Sequence, residues 1–116
     1  MARLADLPRS DLSQIFLWHW EHVIHGPSLE REYRFAPGRR FPFDFAHLES
    51  KIAIELNGGV WVGGRHVSGA GFERDCEKRC LAAAGGWRVF ELTSTMLRTN
   101  PRGWCEMILR AIEGES

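Results

Sequence analysis

The stretch FPFDFAHLESKIAIELN, residues 41–57, decides how the chain is read. Its two apolar runs, FPFDFA (41–46) and KIAIELN (51–57), have strand length and are joined by a short turn. Each carries one acid: Asp44 in the first and Glu55 in the second. A carboxylate among Phe and Ile is costly to bury unless something pairs with it. Strand alternation puts Phe41, Phe43 and Phe45 on one face and Pro42, Asp44 and Ala46 on the other. In the second run Ile52, Ile54 and Leu56 share a face, opposite Lys51, Ala53, Glu55 and Asn57. If both apolar faces cover one core, Asp44 and Glu55 emerge side by side. Converging carboxylates repel unless a cation sits between them. Magnesium suits that place, because it takes one or two carboxylates together with water and phosphate oxygens. Surface pairing of Asp44 with Arg39 or Arg40, and of Glu55 with Lys51, accounts for the two acids equally well at this level.

The elements around this pair set the fold class. Residues 11–25, DLSQIFLWHWEHVIH, have apolar residues at helical spacing, with Ser10 or Asp11 as cap and Gly26-Pro27 as stop. REYRFA (31–36) alternates, with Tyr33 and Phe35 on one face and Glu32 opposite, and ends at Pro37-Gly38. The stretch 58–71 holds six glycines in fourteen positions, a composition that more often marks a functional loop than a plain connection. FERDCEKRCLAAA (72–84) is helical and stops at Gly85-Gly86. WRVFELT (87–93) is a fourth strand, and a last helix covers about 101–113. The expectation is an α/β fold with a helix, three strands, a helix, a strand and a helix. The first three strands should be antiparallel, and the third and fourth parallel through the helical crossover.

The chain has 116 residues, which predicts one domain. Formal net charge is zero, against a generally basic nucleic-acid coat. Arginines near loops and strand ends (Arg31, Arg34, Arg39, Arg40, Arg65) still allow a local cationic rim for phosphate. No apolar run approaches membrane-spanning length, and the N-terminus lacks a signal-type stretch, so no membrane partner and a cytoplasmic location are expected. Three cysteines, Cys76, Cys80 and Cys105, give no disulfide framework. Cys76 and Cys80 with His66 could contribute to a zinc site, but a fourth ligand at suitable spacing is missing. Buried, reduced thiols are the expectation.

The pattern F-D-F-A followed by K-I-A-I-E-L-N-G-G, in an αβββαβ order, resembles the PD-(D/E)XK nuclease superfamily. The continuation GRH, D-C-E-K and GGWRVFELT is similar to a small branch near the Vsr-type repair endonucleases and phage-encoded nucleases. The resemblance implies a restriction-endonuclease-like core, αβββαβ(α), with a mixed four-stranded sheet flanked by helices. It further implies a Mg²⁺-dependent (or Mn²⁺-supported) DNA endonuclease in a bacterial or phage-infected cell. Asp44 becomes the central metal ligand, Glu55 the second acid, the Leu56 carbonyl a further ligand, and Glu32 a weaker third acid. Relatives carry an acid on the first helix where Ser13 or Gln14 stands here.

The chain also departs from the pattern at Asn57, which stands where the family places lysine. Lys78 is the candidate relocated lysine, although a helical wheel with Phe72, Cys76, Cys80 and Ala83 as the apolar face sets it toward solvent. His66 is the candidate general base or leaving-group partner near neutral pH. Arg39, Arg40 and Arg65 would grip flanking phosphates, and Trp61 would stack on a base or wedge a distorted duplex.

Trp18, Trp20, Trp87 and Trp104 are read as packing residues; exposure of Trp18 or Trp104 would instead point to a homodimer surface. In so short a chain, selectivity for DNA shape, as in a branch, flap, mismatch or Holliday junction, is expected over sequence reading. The alternative is a DNA-binding or inhibitory module that kept the nuclease fold and lost catalysis.

Overall fold

The apolar alternation of residues 41–57 builds two central strands in the computed structural model, which describes residues 9–57 and 70–114. In chain order the elements are α1 (Arg9–His19), a π-helical turn (Trp20–Ile24), β1 (Glu30–Tyr33), β2 (Phe43–His47) and β3 (Ile52–Asn57). They continue with α2 (Ala70–Ala84), β4 (Arg88–Thr93), α3 (Ser94–Thr99) and α4 (Pro101–Ile112). The strands form one mixed sheet in the order β1-β2-β3-β4. β1 with β2 and β2 with β3 run antiparallel, and β3 with β4 runs parallel. The chain is thus an α/β domain with a mixed four-stranded sheet and flanking helices; the element order read from the sequence recurs, with a π-helical turn and one further helix, α3, added.

Both faces of the sheet are covered, which is why β3 is buried from Ile52 to Ile54 and again at Leu56. On one face Ile52, Ile54, Leu56, Phe45 and Leu92 pack against Leu12, Phe16 and Trp20 of the first helical segment and Cys105 and Ile108 of α4. On the other face a smaller cluster joins Phe43, Ala46, Ala53 and Ala82 of α2, with Tyr33, Phe35 and Trp87 packed beside them. Phe35 stacks on Phe43 with ring centroids 4.0 Å apart.

Phe43 and Phe45 therefore lie on opposite faces, which corrects the simple alternation expected for 41–46. The cause is local: the β1–β2 register pairs Arg31 with Phe45 and Tyr33 with Phe43, and no rung joins Glu32 to Asp44 between them. Glu32 takes a left-handed φ of 52°, a conformation that costs a non-glycine residue about 1–2 kcal/mol. β1 also ends at Tyr33 rather than continuing to residue 36.

Helix ends follow local chemistry. After α2 the chain closes with Gly86 at φ 81°, while the Gly85, Gly86 and Trp87 amides donate to carbonyls of the last turn. The Asn100 side chain accepts from the Gly103 amide at 3.1 Å, and Pro101 opens α4. α3 was not anticipated from the sequence; the Thr93 hydroxyl accepts from the Met96 amide at 3.2 Å and starts it directly at the end of β4.

Trp20 anchors the π-helical turn: it is buried and its Nε1 donates to the Pro27 carbonyl at 2.8 Å. A Cβ on Gly26 would sit within the Trp20 indole. Gly26→Ala is expected to lower stability by about 1–3 kcal/mol through this overpacking, read as a lower urea midpoint with an unchanged denaturant slope. Among the described residues no helix is long and apolar enough to cross a membrane.

Candidate active site

β2 and β3 pair regularly from His47–Ile52 through Ala46–Ala53 to Phe45–Ile54, and the pairing then stops. At the next step the two acids replace the ladder. The Leu56 amide donates to Asp44 Oδ2 at 2.7 Å, and the Asp44 amide donates to Glu55 Oε2 at 3.2 Å. Each carboxylate thus crosses to the other strand and accepts a backbone N–H that the parted strands no longer satisfy. Within an extended strand the N–H and C=O of one residue point to the same edge, so the Leu56 carbonyl faces the same gap. The site presents two carboxylates and a carbonyl, all hard oxygen donors of the kind that suit magnesium.

The cation that meets this pair comes from α2. Lys78 Nζ forms an ion pair with Glu55 Oε1 and donates to the Pro42 carbonyl at 3.0 Å. It also lies 5.6 Å from the centroid of the Phe43 ring. Side-chain exposure is 19% for Lys78 and 13% for Glu55, so the contact is shielded from solvent. This corrects the helical wheel that set Lys78 toward solvent. The supposed apolar face of α2 is the outer one: Phe72 is 52% exposed, and Cys80 and Ala83 are exposed.

Small residues decide the orientation of α2. Ala82 packs in one cluster with Ala46 and Ala53, and alanine on both sides lets helix and sheet approach closely. Four residues back along a helix cover about 6 Å, and two residues forward along a strand cover about 6.6 Å. A helix running against β3, with Ala82 near Ala53, therefore sets Lys78 beside Glu55.

Burial raises the Glu55 pKa above its ordinary 4.5; the Lys78 hydrogen bond and charge and the Asp44 amide oppose that rise, while the Asp44 charge adds to it. The net direction is upward, so proton release is harder for Glu55 than for a carboxyl in water.

Two cavities flank Lys78, and Asp75 and Lys78 line both. One, of about 360 Å³, lies along β3 and β4 with Glu55, Asn57, Arg79 and Glu91 on its wall. The other, of about 550 Å³, has Asp44, Glu32, Arg40 and Arg74. Glu32 shares a cavity with Asp44, but not by the expected parity: its left-handed φ breaks the alternation, and Tyr33 and Phe35 lie on the α2 side as well. Asn57 donates its amide to Glu91 Oε2 at 2.9 Å and lies on the Glu55 side. Arg40 lines the Asp44 cavity, whereas Arg39 pairs with Glu77 at 3.0 Å on the outer surface. His66, Arg65 and Trp61 lie outside the described residues.

The surface pairing weighed for Glu55 is not the one formed. Lys51 donates to the Gly85 carbonyl at 2.8 Å, at the end of α2, and Glu55 pairs with Lys78. Asp75, Arg74 and Arg79 were missed in the sequence. Asp75 and Arg79 share one helical face with Lys78 and Ala82, a spacing present in the sequence; no such signal marks Arg74.

Among the described residues no group of three or more His, Cys, Asp and Glu is placed to hold a metal ion. Cys105 is buried and its thiol is pushed up to about 12 by burial. Cys76 is half-buried and Cys80 exposed, so burial of all three cysteines does not hold. Trp20 is buried, and Trp87 and Trp104 are half-buried as expected for packing residues, while Trp18 is 54% exposed and stacks on His22. Comparison with family models, with curated proteins and with solved structures finds no match to the chain.

Proposed function

We propose that this chain is a magnesium-dependent DNA endonuclease with a restriction-endonuclease-like core, in which Lys78 takes the role the PD-(D/E)XK pattern gives to a lysine at position 57. The observation that carries the reading is the crossing of Asp44 and Glu55 where β2 and β3 part, with Lys78 brought to them from α2. Asp44, Glu55 and the Leu56 carbonyl would hold the ion. A bound divalent cation supplies Lewis-acid polarisation of a phosphoryl oxygen and a more acidic water.

The chain's own groups do the rest. Lys78, desolvated and fixed by the Pro42 carbonyl, offers positive charge where the phosphate gains negative charge in the transition state. Asn57, tied to Glu91, orients polar groups on the Glu55 side rather than supplying charge. Arg40 binds a flanking phosphate. The proposed substrates are branched or mismatched DNA, with two copies pairing on a four-way junction; exposed Trp18 is the feature that favours a homodimer.

The ion pair favours one other reading. Lys78 already neutralises Glu55, as expected of a module that binds DNA or inhibits a partner without cutting. Cleavage of labelled linear duplex, flap and four-way junction in Mg²⁺ or Mn²⁺, by wild type and by Glu55→Gln, separates the two. Cutting of one substrate by wild type, lost in the variant, supports the enzyme; binding without cutting on every substrate supports the module.

The raised Glu55 pKa adds a pH dependence. The folded state holds the Glu55 proton more tightly than the unfolded chain, so this group's contribution to stability is full below about 4.5. That contribution is lost as pH rises through the raised folded value. Metal-free wild type should therefore lose stability relative to Glu55→Gln across that window, measured by urea melts at stepped pH. Metal-dependent cleavage should change in the opposite sense, rising with pH as Glu55 gives up its proton.

A further inference from the structure

We infer that Arg74 of α2 and Arg40 of the segment before β2 form a two-armed phosphate clamp on the Asp44 side of the site, so that the substrate strand leaves the reacting phosphate in that direction. The inference rests on reading the crossed carboxylates as a nucleic-acid-cleaving site. Arg40, from the segment before β2, and Arg74, from α2, line the same cavity as Asp44, and Lys78 and Asp75 line both this cavity and the Glu55 cavity. Both arginines are exposed, and among the described residues neither forms an ion pair, in contrast to Arg39, which is held by Glu77.

The two sides differ in charge. Setting aside Asp44, Glu55 and the shared Asp75 and Lys78, the Asp44 side carries Arg40, Arg74 and Glu32, and the Glu55 side carries Arg79 and Glu91. Among the described residues the first sums to one positive charge and the second to none. A polyanionic strand is therefore held more firmly on the Asp44 side. At about 550 Å³ that cavity is also the larger. Guanidinium groups reaching from two elements can grip one phosphate by paired hydrogen bonds, which ammonium groups do not provide.

The test is the salt dependence of binding, read by anisotropy of a fluorescein-labelled duplex and four-way junction in EDTA, where no cleavage is needed. Each phosphate contact removed should lower the slope of log K against log salt by about 0.9, equivalent to about eightfold weaker binding at 0.1 M salt. Arg74→Gln and Arg40→Gln are each expected to show this loss, and Arg79→Gln a smaller one. Arg98→Gln on α3 should leave the slope unchanged and serves as the charge control. Circular dichroism confirms that each variant is folded.

An unchanged slope for Arg74→Gln, or wild type that binds neither DNA, overturns the clamp. The nuclease reading fails separately. Slope loss in a chain that cuts nothing leaves the clamp standing and removes the nuclease, whereas cutting with an unaltered slope does the reverse.

Discussion

Lys78→Met is expected to abolish Mg²⁺-dependent cleavage and to lower stability by about 2 kcal/mol. Methionine keeps the length of the stem and its packing over Phe43 but removes the charge that Glu55 and the Pro42 carbonyl share. Breaking a fully buried pair costs about 3–5 kcal/mol because one charge is left alone; the residual exposure of this pair reduces the figure. Part of the loss should return in Lys78→Met/Glu55→Gln, which leaves no unpaired charge, and a double-mutant cycle gives the coupling. Activity should not return with it. If Lys78 only neutralises Glu55, as in the module reading, the double variant recovers stability and wild type shows no cleavage to lose. Lys78→Arg distinguishes charge from geometry: it keeps the cation but cannot place a compact ammonium between Glu55 and Pro42.

Asp44 carries the second large effect, and two substitutions divide it. Asp44→Asn keeps an oxygen that can accept the Leu56 amide and removes the negative charge. The fold should hold within about 1 kcal/mol, while cleavage falls by at least about 10³-fold, some 4 kcal/mol of transition-state stabilisation. Asp44→Ala also removes the acceptor and leaves the Leu56 N–H at the parted strands without its partner. An additional loss of about 1–3 kcal/mol in stability is expected. Equal stability of the two variants would show that the Asp44–Leu56 bond contributes little to holding β2 against β3.

Much of this arrangement could be read from the chain. Strand alternation in KIAIELN put Ile52, Ile54 and Leu56 on one face and Glu55 on the other, and both faces are as anticipated. A central strand under a strong apolar pattern has little freedom of register. FPFDFA misled because alternation assumes an unbroken strand, and the missing Glu32–Asp44 rung turns Phe43 to the α2 side. That break depends on a left-handed φ at a glutamate, which no propensity marks.

α2 misled for a different reason. Its largest apolar residues, led by Phe72, suggest a buried stripe, whereas close packing against Ala46 and Ala53 selects the face of Ala82. Lys78 was thus visible in the sequence as a candidate partner for the two acids. Its contact with Glu55 depended on helix orientation, which pairwise packing of small residues decides. Trp18 illustrates the same limit: helical spacing does not reveal which aromatic faces the core, and this one faces outward.

The central claim is that the crossed Asp44 and Glu55 carboxylates form a divalent-metal site, and direct titration with Mn²⁺ tests it without knowledge of the DNA substrate. Isothermal titration calorimetry at a pH well above the Glu55 transition should show one ion bound per chain of wild type. Asp44→Asn, still folded, should bind it at least about tenfold more weakly, a difference of about 1.4 kcal/mol. Equal affinity in wild type and Asp44→Asn, or no uptake of Mn²⁺ by wild type, would contradict it.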